Sequence, residues 1–445
     1  MTIDLQNKEF QHAYHLIENT NQSFFLTGKA GTGKSTFLKH VVETVNKNFV
    51  VVAPTGIAAI NVHGVTIHSF FQFPLRPLLP DDDGIKIFTK NSSKRRIIKA
   101  MDTLLVDEVS MVRADLIDGI DYSLRHNGGD PKLPFGGKQI IFIGDIFQLE
   151  PVTLKRTGEL DIINEFYNSP YFFDALVFKN TGITTVEFLN VYRQSNKQFI
   201  DLLDKIRRNT ASNADIEIIN QRCFPVAEIE KQDYAITLTT RNDNAERVNQ
   251  FRLNELPVQK FFYHALIDGE FDEGKYPTES ALKLKTGAQV IFIQNDMERR
   301  WVNGTIGYVD ELTETSVKVK LDNGNIYEVK KATWENIHYR YNKTKQSIEQ
   351  ETVGTFIQYP LKLAWAITIH KSQGLTFDRI VIDFGTGAFA GGQAYVALSR
   401  VTSFEGLFLK KKLSPNDIYV DEEILRFSKT FNDEKKLSAD ALNSD

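Results

Sequence analysis

Short apolar runs alternate with helical patterns up to about residue 190. Four of these runs are uniformly apolar, at 24–26, 49–53, 104–106 and 140–143. Apolar residues recur at helical spacing from Ser35 to Val45, between the first two runs. Short strands that are apolar on both faces are typical of parallel sheets covered by helices on both sides. The pattern therefore predicts an α/β domain built on a parallel sheet.

The rest of the chain repeats this pattern around an insertion. A second α/β pattern begins near 189, with a strand at 235–238 and a helix at 244–253. Between about 286 and 360 the pattern is all-β, and Asp322-Asn323-Gly324 follows an alternating run, which is a strong hairpin signal. We expect a small β-barrel there, SH3-like in size. Earlier, prolines and three consecutive aspartates within 73–95 predict a loop or small inserted domain.

Composition limits the classes of protein that the chain can belong to. It has 445 residues, of which 42% are hydrophobic and 25% charged, as in ordinary globular proteins. Cys223 is the only cysteine, which excludes an intramolecular disulfide and a cysteine-rich zinc site. The sequence has neither a basic segment followed by an apolar run at its start nor an apolar run of about 18 residues. We therefore expect a cytoplasmic protein with no membrane partner.

The overall charge does not favour a nucleic-acid partner. The net charge is −4 and the sequence pI is about 6.2, whereas nucleic-acid-binding domains are usually basic. Small basic clusters occur at Lys94-Arg95-Arg96, Arg299-Arg300 and Lys410-Lys411-Lys412. We interpret each as a solvated face rather than a phosphate track. Nucleic-acid binding would then depend on a local cleft.

A phosphate-binding loop follows the first apolar run. Gly28-Lys29-Ala30-Gly31-Thr32-Gly33-Lys34-Ser35-Thr36 contains G-x-x-x-x-G-K-[ST] between a predicted strand and helix, as this motif requires. The glycines let backbone N–H groups surround phosphate oxygens, and the helix N-terminus favours negative charge. Lys34 is expected to reach the β- and γ-phosphates of ATP, and Ser35 to bind Mg²⁺. The alternative is a glycine-rich turn that only caps a helix.

Two carboxylates end the third apolar run. Asp107 and Glu108 follow Leu104-Leu105-Val106, and a parallel strand brings its C-terminal residues to the same sheet edge as the phosphate loop. Asp107 is expected to hold Mg²⁺ through water, and Glu108 to orient or deprotonate the attacking water. Many strands end in acidic residues, so this interpretation depends on the position of the pair, about 75 residues after the phosphate loop. A glutamate directly after the aspartate favours ATP hydrolysis over phosphoryl transfer to a metabolite.

Further motifs resemble those of superfamily-one helicases. Gln148 follows Gly144-Asp145 and the fourth strand, where it could contact the γ-phosphate. Then come Tyr192-Arg193-Gln194, Thr368-Ile369-His370-Lys371-Ser372-Gln373-Gly374 and Tyr395-Val396-Ala397-Leu398-Ser399-Arg400. The stretch from Ser110 through Asp118 and a helix to Arg125, followed by Phe135-Gly136-Gly137, resembles the Pif helicases in particular.

The resemblance implies a 5′→3′ DNA helicase, of superfamily one group B, acting on forks, flaps, RNA–DNA hybrids and G-quadruplexes. It also implies roles in DNA repair, recombination and telomere maintenance. The implied fold class is α/β, with two RecA-like P-loop domains that carry small insertions. The implied divisions are RecA-like domain 1A at 1–72 and 96–188, inserted domain 1B at 73–95, RecA-like domain 2A at 189–285 and 361–432, an SH3-like inserted domain 2B at 286–360, and a flexible tail at 433–445.

Further site residues follow from the resemblance alone. Gln11 matches the adenine-reading glutamine, Gly374 joins the nucleotide-binding set, and Arg193 and Arg400 match arginine fingers that meet the γ-phosphate. For the arginines the alternative is an ordinary salt bridge. The residues expected to contact single-stranded DNA are Thr55, Gly56, His68, Ser69, Phe70, His370, Lys371, Ser372 and Gln373. Phe70 is expected either to stack on a base or to lie in the core.

Three functional hypotheses remain open. The first is a Pif-type helicase that binds single-stranded DNA and DNA junctions, is monomeric when free, and is a compact bacterial-type, nucleoid-associated protein. The second is a translocase that strips proteins from single strands without efficient unwinding. The third is an ATPase with decayed nucleic-acid motifs that acts as a scaffold. The presence of Lys34, Glu108, Arg193 and Arg400 disfavours the third, because a scaffold needs none of them.

Overall fold

The computed structural model describes residues 4, 6–151, 159–179, 181–342, 347–385, 387–388 and 390–431, and leaves aside the side chains of 57, 340, 341, 347 and 348. The predicted tail at 433–445 lies outside these residues. The chain divides into two compact units. Unit 1 comprises Met1–Val191, Ile337–Val353 and the described part of Asp421–Asp445. Unit 2 comprises Tyr192–Asn336 and Gly354–Val420.

Unit 1 alternates strands and helices over its first 190 residues. Its helices are α1 (Lys8–Asn19), α2 (Lys34–Thr44), α3 (Gly56–Asn61), α4 (Ile67–Phe71), α5 (Ser93–Ala100), α6 (Ala114–His126) and α7 (Glu159–Phe166), with residues 422–431 helical near the C-terminus. Its first six strands are β1 (Phe24–Gly28), β2 (Phe49–Ala53), β3 (Val65–Thr66), β4 (Thr103–Val106), β5 (Gln139–Ile143) and β6 (Thr184–Phe188). Short 3₁₀ turns lie at Val109–Met111, Pro134–Gly137, Phe172–Asp174 and Leu176–Lys179.

The six strands described for this unit form one parallel sheet. Their order is β3-β2-β4-β5-β1-β6, and every pairing is parallel. All residues of β1, β4 and β5 are buried, because helices cover both faces of the sheet. On one face Phe10 of α1 and Phe37 of α2 pack against Phe188, with ring centroids 4.3 and 5.3 Å from that of Phe188. The predicted parallel α/β sheet is confirmed.

Helix α6 supports the loop that precedes α5. One face of the helix is apolar and packs inward, since Leu116, Ile120 and Leu124 lie at i, i+4 and i+8 and are buried. The loop that α6 supports is the segment 72–92, which contains no helix or strand among its described residues. A side chain at Gly119 would meet the Leu78 methyl at 2.5 Å, so this segment lies directly on the helix.

Unit 2 contains both helices and many strands. Its helices are α8 (Lys197–Arg207), α9 (Asn213–Asn220), α10 (Val226–Ile229), α11 (Asn242–Glu255) and α12 (Gln393–Leu398), with 3₁₀ turns at Glu273–Lys275, His370–Ser372 and Pro415–Asp417. The strands that follow β6 along the chain are β7 (Ile236–Thr239), β8 (Lys260–His264), β9 (Leu266–Gly269), β10 (Ala281–Lys285), β11 (Gln289–Phe292), β12 (Ile306–Leu312), β13 (Val317–Leu321), β14 (Ile326–Val329), β15 (Ala332–Asn342), β16 (Ser347–Gln358), β17 (Leu361–Leu363), β18 (Ala366–Thr368), β19 (Ile380–Asp383) and β20 (Leu407–Leu409).

A second parallel sheet carries the motifs of unit 2. In the described residues its strands run β18-β7-β19-β20, all parallel, so the second predicted α/β pattern is confirmed. An antiparallel sheet, β14-β13-β12-β11-β17, packs on an apolar core that also contains residues of α11, β8 and β10. The predicted hairpin joins β13 to β14, and Gly324 adopts a φ of 82° in the turn, which favours glycine. All-β structure begins at Lys260, well before the predicted boundary at 286.

Two segments belong to a different unit from the one that the sequence predicted. Residues 421–431 were expected in the second RecA-like domain, but they lie in unit 1. There Phe427 stacks on Phe173 at 4.2 Å and Phe431 lies 5.9 Å from Phe25. Residues 337–342 and 347–353, in the described part of the β15–β16 hairpin, were expected in the SH3-like insertion but also belong to unit 1. The first unit ends at Val191, where the sequence placed the boundary at 188.

Among the described helices, none combines the length and the apolar character that crossing a membrane requires.

Changing Tyr339 to Phe tests the docking of the hairpin on unit 1. The Tyr339 hydroxyl accepts a hydrogen bond from the buried Val51 N–H at 3.0 Å. Without that oxygen the amide has no partner, which costs about 1–3 kcal/mol. We therefore expect urea unfolding to show that the free energy of unfolding of unit 1 falls by about 1–3 kcal/mol.

Tyr14→Phe is the matched control, because the Tyr14 hydroxyl donates to Thr44 at an exposed position of the same unit. Equal effects of the two changes would contradict the buried contact.

Candidate nucleotide site and nucleic-acid contacts

The phosphate loop connects β1 to α2 in a conformation that needs glycine. Gly28, Gly31 and Gly33 have φ values of 154°, 80° and 85°. A side chain at Gly28 would also approach the Phe188 carbonyl oxygen to 2.6 Å. The loop is therefore held tightly against the end of β6, next to the start of α2, where a helix N-terminus favours an anion.

The Lys34 side chain folds back onto this loop. Its Nζ donates to the carbonyl oxygens of Gly28 at 2.7 Å and Lys29 at 3.1 Å. Thr32 Oγ1 also donates to the Lys29 carbonyl, at 2.9 Å. The ammonium group is thus held at the mouth of the loop, where it can exchange carbonyl partners for phosphate oxygens.

The two predicted carboxylates follow β4. Asp107 is buried, and burial, followed by the charge of Glu108, raises the pKa of its carboxyl, while Lys34 and Lys39 oppose the rise. Glu108 adopts a left-handed backbone conformation, with φ 50° and ψ 44°. Such a conformation costs a non-glycine residue about 1–3 kcal/mol and is concentrated at functional sites. It turns the chain sharply into the 3₁₀ turn at Val109–Met111.

The third strand end at this edge is that of β5. β5 pairs with β1 on one side and with β4 on the other, and the Gly144 N–H donates to the Leu26 carbonyl at 3.1 Å. Asp145 is 1% exposed, and Gln148 Nε2 lies 3.5 Å from its carboxylate. The loop containing Gln148 is therefore anchored between the phosphate loop and the carboxylate pair. Sequence reasoning named Gln148 but missed Asp145 as its anchor.

These residues fit ATP with a magnesium ion. Ser35 lies in the first turn of α2 and is exposed, and Asp107 supplies carboxylate oxygen at the neighbouring strand ends. Hydroxyl and carboxylate oxygens are the ligands that Mg²⁺ prefers. Gln11 lies on α1 and is exposed beside Phe10 and Phe37, lining a cavity of about 230 Å³. Its role in reading adenine stays a prediction.

The two predicted arginine fingers lie close together in unit 2. Arg193 donates to the Ser399 carbonyl oxygen at 3.0 Å. Arg400 is 1% exposed and donates to the Val396 carbonyl at 2.9 Å and to Ser399 Oγ at 2.9 Å. Gln194 donates to the carbonyls on both sides of Arg400. Hydrogen bonds to backbone carbonyls at the end of α12 therefore help to hold both arginines in place.

The polar tract of unit 2 forms a 3₁₀ turn after β18. Lys371 is exposed, and burial lowers the pKa of His370. Ser372 is fully buried and donates to the Ile369 carbonyl at 2.7 Å, so in this structure it supports the turn rather than facing solvent. Gln373 is half-buried, and Gly374 adopts a φ of 78° that the turn requires. Their contacts with DNA or nucleotide stay predictions.

The polar tract of unit 1 caps two short helices. Thr55 Oγ1 accepts from the Ala58 N–H before Gly56 leads into α3, and Thr66 Oγ1 accepts from the Ser69 N–H at the start of α4. His68 is half-buried, and burial, then Arg113, lower its pKa.

Phe70 lies in the core rather than at the surface. Its ring is 1% exposed and packs edge-on against Phe71 and Tyr339. Of the two expected roles, only the core position is compatible with this conformation.

Sequence reasoning missed the network around the start of α6. Arg113 makes a two-point ion pair with Asp115, and both contacts measure 2.9 Å. The same carboxylate accepts from the Leu78 N–H at 2.8 Å, and Asn127 Oδ1 accepts from the Phe88 N–H at 2.7 Å. The helix that identified the family is therefore a scaffold for segment 72–92. The signal in the sequence was a charged pair, Arg113 and Asp115, next to an apolar helix face.

The comparisons with known proteins agree with this arrangement. A family model described as PIF1-like helicase matches residues 4–217, and one described as helicase matches 332–421. The ATP-dependent DNA helicase Pif1 of Bdellovibrio bacteriovorus is 32% identical, and the match covers 93% of this chain and 89% of the relative. The chain belongs to the PIF1-like helicase family. The resemblance found in the motifs is confirmed.

Solved structures of PIF1-like helicases support the same assignment. Bacteroides sp Pif1 in complex with ADP-AlF4 is 37% identical, with a TM-score of 0.89, covering 97% of this chain and 98% of that one. Bacteroides Pif1 bound to ssDNA matches at 37% identity and a TM-score of 0.68, covering 98% of both chains. The PIF1 helicase of Rattus norvegicus is 32% identical over 95% of this chain, but the chain spans only 64% of its length.

Changing Glu108 to Gln tests its assignment as the catalytic base. The amide keeps the shape of the side chain but cannot accept a proton, so we expect ATP turnover to fall by roughly 10²–10⁴-fold while ATP still binds. Lys34→Ala is the contrasting variant, and it should lose ATP binding itself. Binding is measured with a fluorescent ATP analogue and turnover by phosphate release. Loss of nucleotide binding in Glu108→Gln would make Glu108 a structural residue.

Proposed function

We propose that this protein is an ATP-dependent DNA helicase that translocates 5′→3′ on single-stranded DNA and unwinds duplexes. The observation that carries the proposal is the convergence of the phosphate loop, the Asp107-Glu108 pair and the Gly144 turn at one edge of one parallel sheet. Family membership supports the DNA substrate, since the curated relatives are named ATP-dependent DNA helicases. Nucleotide-bound and ssDNA-bound structures of Bacteroides Pif1 support both ligands.

The proposed hydrolysis uses residues of the sheet edge. The loop N–H groups and Lys34 bind the phosphates of ATP, and Gln148 contacts the γ-phosphate from the turn that Asp145 anchors. Glu108 orients a water molecule in line with the γ-phosphate and accepts its proton. Ser35 and Asp107 are the residues that would hold Mg²⁺, which would neutralise charge on the phosphate oxygens. Arg193 and Arg400 supply positive charge as phosphate is released.

The finer features of the proposal rest on the family resemblance. They are the 5′→3′ polarity, activity on forks, flaps, RNA–DNA hybrids and G-quadruplexes, and roles in repair, recombination and telomere maintenance. The division into domains 1A, 1B, 2A and an SH3-like 2B belongs with them, with residues 337–342, 347–353 and 421–431 moved to unit 1. So do a monomeric free state and a cytoplasmic, nucleoid-associated location. The residues proposed to contact single-stranded DNA are Thr55, Gly56, His68, Ser69, His370, Lys371 and Gln373.

A translocase that strips proteins from single strands is the second candidate. It shares every residue of the ATP site, because translocation and unwinding use the same cycle. Unlike a helicase, it would lack an element that separates the two strands of a duplex. In the helicase, segment 72–92 on helix α6 is the candidate for that element. Leu75 in this segment is 89% exposed, as an apolar group that meets a duplex end would be.

Strand separation on tailed duplexes tests the proposal. Two partial duplexes, one with a 5′ single-stranded tail and one with a 3′ tail, are incubated with protein, ATP and Mg²⁺. We expect only the 5′-tailed duplex to separate, and Lys34→Ala to separate neither. Separation of the 3′-tailed duplex alone would overturn the polarity. Separation of neither, with ATPase still stimulated by single strands, would favour the translocase.

A further inference from the structure

Lys94 is the one residue of its basic cluster without an oxygen partner in the described residues. Arg95 donates to the Phe88 carbonyl at 2.9 Å, and Arg96 donates to the Asn91 carbonyl, so both hold the end of segment 72–92. The Lys94 side chain instead lies over the ring of Phe70, with Nζ 4.3 Å from the ring centre. The expectation that this cluster is merely a solvated face is therefore wrong for Lys94, which is half-buried.

The ammonium group of Lys94 lies in a position that lowers the stability of the folded protein. Burial alone lowers the pKa of Lys94, to about 8, and no neighbouring carboxylate opposes the shift. Lys94 also lies in the first turn of α5, which contains no acidic residue and where the helix dipole disfavours a cation. A cation–π contact with the ring face of Phe70 offsets part of the cost of burying this charge. An ammonium group has three donors, and the ring can satisfy only one side of it.

The neighbours of Lys94 identify the class of ligand. Phe70 lies on α4, directly after His68 and Ser69, which are half-buried at the surface of unit 1 and are proposed to contact single-stranded DNA. The contact with Phe70 therefore places Lys94 against the same short helix that carries His68 and Ser69. A phosphodiester is the anion that a single strand offers at regular spacing, and lysine binds it as a point charge.

We propose that Lys94, held on the ring of Phe70, binds a backbone phosphate of the single strand next to His68 and Ser69. The inference rests on the proposed function and adds one residue outside the helicase motifs to its DNA site. It also gives Phe70 a role that agrees with its burial. The ring does not stack on a base but serves as the platform that places the ammonium group.

The test measures the affinity for an oligothymidylate by fluorescence anisotropy over a range of salt concentrations. One phosphate contact changes the slope of log affinity against log salt by about 0.7 for single strands. We expect Lys94→Gln to lower the magnitude of the slope by about that amount and to weaken binding. Lys94→Arg, which keeps the charge, should retain the wild-type slope.

Lys90→Gln is the matched control. Lys90 is exposed and lies four residues before Lys94, outside α5, and its change to Gln removes the same charge. A wild-type slope in Lys90→Gln together with a reduced slope in Lys94→Gln would support the proposal. Equal slopes in wild type and Lys94→Gln would overturn it, even if Lys94→Gln lowered thermal stability, because a merely structural lysine affects folding and not the salt slope.

The wild-type protein separates this inference from the proposed function. If it fails to bind the oligonucleotide at any salt concentration, the helicase proposal fails and the Lys94 site fails with it. If it binds and separates strands but Lys94→Gln matches it, only the Lys94 site is overturned.

Discussion

The parallel register of β1, β4 and β5 is the constraint on which the nucleotide site depends. Parallel strands end at one edge, so the phosphate loop, Asp107 with Glu108, and the Gly144 turn meet there. Burial stabilises this pairing, because every residue of the three strands is buried and none of the strands can turn a face to solvent. The polar groups of the site are thus positioned by apolar burial, and Glu108 adopts a strained backbone conformation because its neighbours on both sides are fixed.

The same logic extends from the sheet to the surface of unit 1. Helix α6 follows β4 after the carboxylate pair and a 3₁₀ turn, and Asp115 at its start pairs with Arg113 and accepts from the Leu78 N–H. Segment 72–92 has no ladder or helix of its own, so these contacts hold it on α6. Arg95 then ties its far end to α5, which brings Lys94 over Phe70. Polar contacts and one cation–π contact therefore fix segment 72–92 and Lys94 on unit 1, which also contains the hydrolytic edge.

Features encoded locally could be predicted from the sequence. Lys34, Glu108 and the hairpin at Gly324 lie in motifs whose geometry is set within a few residues, and uniformly apolar runs indicated both parallel sheets. Contacts between distant segments could not be predicted. Tyr339 reaches Val51 across 288 positions, and Phe427 finds Phe173 only after the chain has left and re-entered unit 1. The burial of Lys94 was missed because a run of three basic residues is usually a solvated face.

The central claim is that the ATP site belongs to a motor that works on single-stranded DNA. The rate of ATP hydrolysis by the purified protein, measured with and without single-stranded DNA at fixed Mg²⁺, tests it most directly. Our account predicts slow hydrolysis alone and a large increase with DNA, because His370 and Gln373 lie in the same unit as Arg193 and Arg400. Hydrolysis that is equally fast with and without DNA would contradict it.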